Sequence, residues 1–121
     1  MSPAEAIRGA EDFPSTGKSG RFGFTVARAE MVGPRLFLNS MADYRDPANL
    51  SIAIELSALS GLRARYGNDL VSAFLNRPVV VDGVARRQAI GVTDGHRRRV
   101  RGLYYQTHIM VRRAQQLSIR P

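Results

Sequence analysis

The 121-residue chain has no cysteine and no tryptophan, and Lys18 is the single lysine among its 18 basic side chains. Without cysteine there are no disulfides, thiolate metal ligands or cysteine nucleophiles. That usage fits the reducing cytoplasm, where the protein is expected to reside. Histidine is almost as scarce: His96 and His108 stand in different contexts, and no carboxylate is spaced with either as a metal-ligand set. Neither a metal nor another cofactor is expected. No apolar run approaches the roughly 18 residues of a membrane span. The opening Met1–Arg8 stretch lacks the charged start and apolar stretch of a secretory signal.

Catalytic motifs are missing as well. Gly17-Lys18-Ser19 resembles the end of a phosphate-binding loop, but the first glycine of that motif would fall at Asp12, and no apolar strand precedes it. Asp43 and Asp46 precede Pro47, which is ordinary turn chemistry rather than a carboxylate pair. There is no G-x-S-x-G nucleophile motif. The protein is not expected to be an enzyme.

What is present is positive charge, unevenly placed. From Arg77 to Pro121 there are ten arginines and two acids, Asp82 and Asp94, whereas residues 1–76 hold eight basic and eight acidic side chains. The whole net charge of +8 therefore falls in the last third of the chain. Such a footprint points to a polyanionic partner. Arginine is also the better donor to phosphate and stacks on flat rings.

Along the chain, residues 1–19 contain Pro3, Gly9, Pro14 and Gly17 and read as a flexible N-terminal tail, with one helical turn near Ala4–Arg8. Residues 20–121 read as a single domain. Phe22, Phe24 and Val26 alternate within a first strand from Arg21 to Val32; Gly33-Pro34 turns the chain into a second strand, Arg35 to Ser40. Leu50, Ile52, Ile54 and Leu56 share one face of a half-buried third strand. Ser57 is placed to cap a helix in which Leu59, Leu62 and Tyr66 recur at helical spacing; Gly67 interrupts it, and Leu70, Ala73 and Phe74 continue it. A fourth strand runs from Val79 to Ile90, with Gly83 as a bulge or bend. After a polar loop from Gly91 to Gly102, a fifth runs from Tyr104 to Val111, and Leu117 and Ile119 add a last short pairing.

Three strands, a helix and two strands form the order of the OB-fold, a small five-stranded Greek-key barrel with one inserted helix. The run Leu75-Asn76-Arg77-Pro78-Val79-Val80-Val81-Asp82-Gly83-Val84-Ala85-Arg86-Arg87 resembles the fourth strand of single-strand-binding and anticodon-binding-type OB domains, with Val79, Val81 and Gly83 keeping the pattern and Asn76 standing where a glycine is usual. Gln106 to Val111, followed by Leu117-Ser118-Ile119, resembles the closing strand. The resemblance spans roughly residues 20–119 and implies the barrel fold; weak sequence selectivity is expected because phosphate neutralisation and stacking tolerate any sequence.

In such a barrel the loop between the fourth and fifth strands walls the binding groove. Here it carries Arg97, Arg98, Arg99 and Arg101, with Arg86 and Arg87 entering it and Tyr104 and Tyr105 leaving it. Arginines neutralise phosphates and tyrosines offer faces for bases. Alternation turns one of the two tyrosines inward, and Tyr105, in line with Thr107, Ile109 and Val111, is expected there. The expected interface for single-stranded DNA or RNA is Arg86, Arg87, Arg97, Arg98, Arg99, Arg101 and Tyr104, extended by Tyr44 beside Arg45. Phe24 and Phe37 are weighed with them but read as core. His108 reads as surface or groove lining. The alternative is an OB-fold adaptor whose arginines face an acidic protein partner, which would need an apolar patch or an unpaired edge strand.

Overall fold

The computed structural model describes residues 1–92 and 102–121. Its elements are α1 (Pro3–Asp12), β1 (Lys18–Thr25), β2 (Arg28–Val32), β3 (Arg35–Asn39), β4 (Leu50–Ile54), α2 (Leu56–Tyr66), α3 (Leu70–Phe74), β5 (Pro78–Val92), β6 (Gly102–Val111), a short 3-10 turn (Ala114–Gln116) and β7 (Leu117–Ile119). The main hydrogen-bonded order is β1-β5-β6-β4-β3-β2, with β7 also on β5. Phe22, Leu36, Leu38, Ile52, Ile54, Phe74, Val79, Val81 and Ile109 fill the inside of this curled sheet. The mostly β, barrel-like outline expected from the sequence is present.

The five-strand count is not. Seven strands occur among the described residues, and no ladder joins β1 to β2. The expected first strand is two strands, because its middle bends at Val26-Ala27. Val26 gives its N–H to the Arg77 carbonyl (3.0 Å) and takes the Asn76 N–H (2.8 Å), while Ala27 gives its N–H to Asn39 (2.9 Å). One stretch of chain is thereby handed from the β5 side of the sheet to the β3 side. The two edge strands of the sheet are consecutive in sequence.

β4 is more deeply placed than the half-buried strand expected. All five of its residues are buried, and it lies between β3 (antiparallel) and β6 (parallel). Its outward residues, Ser51 and Ala53, are small, so neighbours on β3 and β6 close over them. Leu56, expected to extend the inward face, instead starts α2 and is 67% exposed. Ser57 does not cap that helix: its hydroxyl donates to the Arg112 carbonyl at 2.7 Å, and Glu55 occupies the cap position. Gly67 ends α2 with φ of 97°, as the sequence suggests, and the Asp69 side chain accepts the Ser72 N–H to start α3.

β5 is the long strand. Pro78–Ala85 pairs with β1 and Ala85–Val92 with β6, so the partner changes at Ala85. Gly83 lies just before the change, where a Cβ would sit 2.7 Å from Ile109 Cγ2. Below this point β5 and β6 separate, and Gln116 bridges them by donating to the carbonyls of Asp82 (3.0 Å) and Met110 (3.2 Å). β5 and β6 continue as a hairpin to Val92 and Gly102.

Residues 3–12, expected within a flexible tail, are helical. Ser2-Pro3-Ala4-Glu5 is a capping box: Ser2 Oγ accepts the Glu5 N–H (3.2 Å) and the Glu5 carboxylate accepts the Ser2 N–H (3.0 Å). Ala6, Gly9 and Ala10 form a buried small-residue face against β1 and β5, close enough that a Cβ on Gly9 would meet the Lys18 stem.

Candidate nucleic-acid interface

The curl of the sheet leaves a concave outer face across β2, β3, β4, β6 and β5. Alternation sends Arg28, Glu30 and Val32 outward from β2, Phe37 and Asn39 from β3, and Ser51 and Ala53 from β4. β6 adds Tyr104, Gln106 and His108, and β5 adds Ile90. A cavity of about 510 Å³ opens on this face. Ser51 of β4 lines its floor beside Phe37 and His108, whose rings meet edge to face with centroids 6.0 Å apart.

The groove has a polar spine and an aromatic rim. Gln106 Nε2 donates to the Tyr104 hydroxyl (2.9 Å), and the Gln106 carbonyl oxygen meets His108 Nε2 (2.8 Å). These two bonds tie three outward side chains of β6 to one another. His108 is half-buried, and removal from water, followed by the nearby Arg35 charge, holds its pKa below the ordinary imidazole value. Asn49 places the neighbouring loop: its Nδ2 donates to Asn39 Oδ1 (3.1 Å), Ser51 Oγ (3.0 Å) and the Tyr44 carbonyl (3.4 Å). Tyr44 is thereby set at the groove edge.

Of the expected interface residues, the structure brings Tyr104 and Tyr44 into one groove. Both Arg28 and Arg45 lie over the Tyr44 ring, 5.6 Å and 5.4 Å from its centroid, so a base would compete with a guanidinium there. Arg86 shares the outer face with His108 by register, but its guanidinium reaches the Ser15 carbonyl at 3.5 Å. Arg87 lies on the opposite face of the hairpin, over the Tyr105 ring. Tyr105, expected to point into the core, is 46% exposed: the hairpin has run past the end of the barrel, and among the described residues it is Arg87 rather than the core that lies over the ring. Arg97, Arg98, Arg99 and Arg101 lie outside the described residues.

Phe37 is a groove residue that the sequence pattern had pointed to the core. Read as core, it is half-buried on the outer face, since Leu36 and Leu38 take the inward positions of β3. The alternation of Leu36 and Leu38 was the available signal. A larger depression of about 770 Å³ lies over β1, β5 and β7, but there Arg21 is neutralised by Asp82 through bonds of 2.8 and 3.1 Å.

No protein-family model matches the chain, and no curated protein matches it. Among solved structures it is similar to a protein named as an aspartyl-tRNA synthetase from Leishmania major Friedlin, with a TM-score of 0.54 and 10% identity over 98% of this chain and 20% of that chain. The likeness is one of fold. The aspartyl tRNA synthetase from Entamoeba histolytica gives a TM-score of 0.46 and 12% identity, over 93% of this chain and 22% of that one. The chain spans about a fifth of the length of the solved chains it matches.

Proposed function

We propose that the chain is a non-catalytic OB-type module that binds single-stranded nucleic acid, RNA foremost, across the outer face of β3, β4 and β6. The observation that carries this reading is the groove itself, where Phe37, Tyr104, Gln106 and His108 converge over the small side chains of β4. In OB-folds the corresponding face and its flanking loops take oligonucleotides. In this reading bases stack on Phe37 and Tyr104, while phosphates meet Arg45 at the Tyr44 loop and the arginines Arg97, Arg98, Arg99 and Arg101, which follow β5 in sequence and lie outside the described residues. The fold shared with part of a tRNA synthetase chain supports a nucleic-acid ligand and favours RNA.

The test is fluorescence anisotropy with labelled single-stranded RNA, single-stranded DNA and duplex DNA over a range of salt. Single strands should bind more tightly than duplex. The Arg97/Arg98/Arg99→Ala variant should lower the salt slope by about two units, three phosphate contacts at roughly 0.7 each. No binding at low salt would leave the adaptor reading, which the exposed Met31 and Val32 on the edge strand β2 favour.

A further inference from the structure

The groove holds one carboxylate among the described residues, Glu30 on β2. A carboxylate repels phosphate, so whatever faces it in a nucleic-acid groove is a base. Arg28 Nη2 engages one oxygen of the group, Oε2, at 3.1 Å and holds it in place. Glu30 stands directly opposite Phe37 in the β2–β3 ladder, on the same outward face. Side chains opposed in this way have Cβ atoms about 4.5–5.5 Å apart. A base lying flat on the Phe37 ring therefore brings one edge to the Glu30 carboxylate.

The chemistry of that edge discriminates. Guanine presents two adjacent donors, N1–H and the N2 amine, to the two acceptor oxygens of a carboxylate. Adenine and cytosine each place a ring-nitrogen acceptor beside their amine, and uracil places its one N–H between two carbonyls. Each of these sets a lone pair against the anion.

We propose that Glu30 selects guanine at the base position stacked on Phe37. The inference rests on the functional reading above and sharpens it from weak selectivity to a preference at one position. The experiment uses the full chain and RNA octamers of uridine with a single central guanosine, inosine, adenosine or cytidine. The guanosine octamer should bind about tenfold or more tightly than those with adenosine or cytidine. Inosine, which keeps N1–H and lacks the N2 amine, should lose most of that gain. Glu30→Gln should abolish the guanosine preference and let adenosine or cytidine bind as well or better, since an amide presents one acceptor oxygen beside an N–H donor and matches their amine and ring nitrogen; its melting temperature reports whether the fold is kept.

Equal binding of the four octamers by the native protein would overturn the inference while leaving the functional reading intact. A guanosine preference that survives in Glu30→Gln, or one that inosine shares in full, would overturn it too. Failure of every octamer to bind would remove the functional reading and this inference with it.

Discussion

The guanidinium carbon of Arg87 lies 3.5 Å from the centre of the Tyr105 ring, on the side of the β5–β6 hairpin that faces away from the groove. Both residues continue the inward-facing rows of their strands beyond the last side chains that the barrel can cover. Thr107, Ile109 and Val111 in the same row are buried. With no core to enter, the tyrosine ring is sheltered by the arginine instead. Arg87→Ala should therefore lower stability by roughly 0.5–1 kcal/mol, the scale of an exposed cation–π contact. It should leave the affinity for single strands unchanged. Chemical denaturation and anisotropy on the same variant separate the two effects.

Phe37 is the opposite case, an aromatic whose loss should be felt in binding rather than in folding. Stacking of one base on one ring is worth about 1–3 kcal/mol. Phe37→Ala should weaken single-strand binding by roughly five- to 150-fold on that scale, with only a small fall in melting temperature because the ring lies on the outer face. Tyr44→Ala should cost far less affinity, since Arg28 and Arg45 already lie over its ring. If the two variants lose binding equally, bases do not favour the Phe37 end of the groove.

The strands and helices were largely legible in the sequence because their signals are local. Leu50, Ile52 and Ile54 alternate, Gly33-Pro34 turns, and Gly67 breaks the helix, each within a few residues. The division of the first strand at Val26 was not legible, because its cause lies in Asn76 and Arg77, some fifty residues away. For the same reason the groove was only half visible: Tyr104 is at the strand position expected, but Phe37, Gln106 and His108 meet only through the parallel pairing of β4 with β6. α1 was legible in part: the helical turn expected near Ala4–Arg8 lies within it, and its start is marked by the capping box of Ser2-Pro3 followed by Glu5, while Gly9 and the prolines on either side hide its length.

That capping box gives a direct test of whether α1 belongs to the folded body. Ser2→Ala removes the acceptor of the Glu5 N–H and should cost about 1 kcal/mol of global stability, the usual scale for an N-cap. A free tail would show no change. Ala6→Asp, which forces a charge into the buried face against β1 and β5, should lower the melting temperature much further.

Gly83 should tolerate no side chain while Ile109 keeps its full size. A Cβ at position 83 lies 2.7 Å from Ile109 Cγ2, where β5 leaves β1 for β6. Gly83→Ala should cost roughly 1–3 kcal/mol through overpacking. In an Ile109→Ala background, itself less stable by about 2–5 kcal/mol, the added cost of Gly83→Ala should shrink, because the clashing methyl group is gone. A double variant whose loss equals the sum of the two single losses would show that the neighbourhood relaxes without Ile109.

His108 sets a pH dependence whose sign follows from its burial. Removal from water, then the Arg35 charge, lowers its pKa in the folded protein, whereas in the unfolded chain it titrates near the ordinary value of about 6.5. Above that value the ring is neutral in both states and contributes no penalty. As pH falls through about 6.5, the unfolded chain takes up the proton first, so stability declines, and the decline stops once pH passes below the folded pKa. The negative charge of a strand bound along the groove's edge favours the imidazolium and works in the other direction, so single-strand affinity should rise over the same interval. Denaturation midpoints from about pH 8 to about pH 5 should fall less steeply in His108→Gln than in the native protein. The acid-driven gain in affinity should shrink in the same variant, and if both profiles are unchanged, the titrating group is elsewhere.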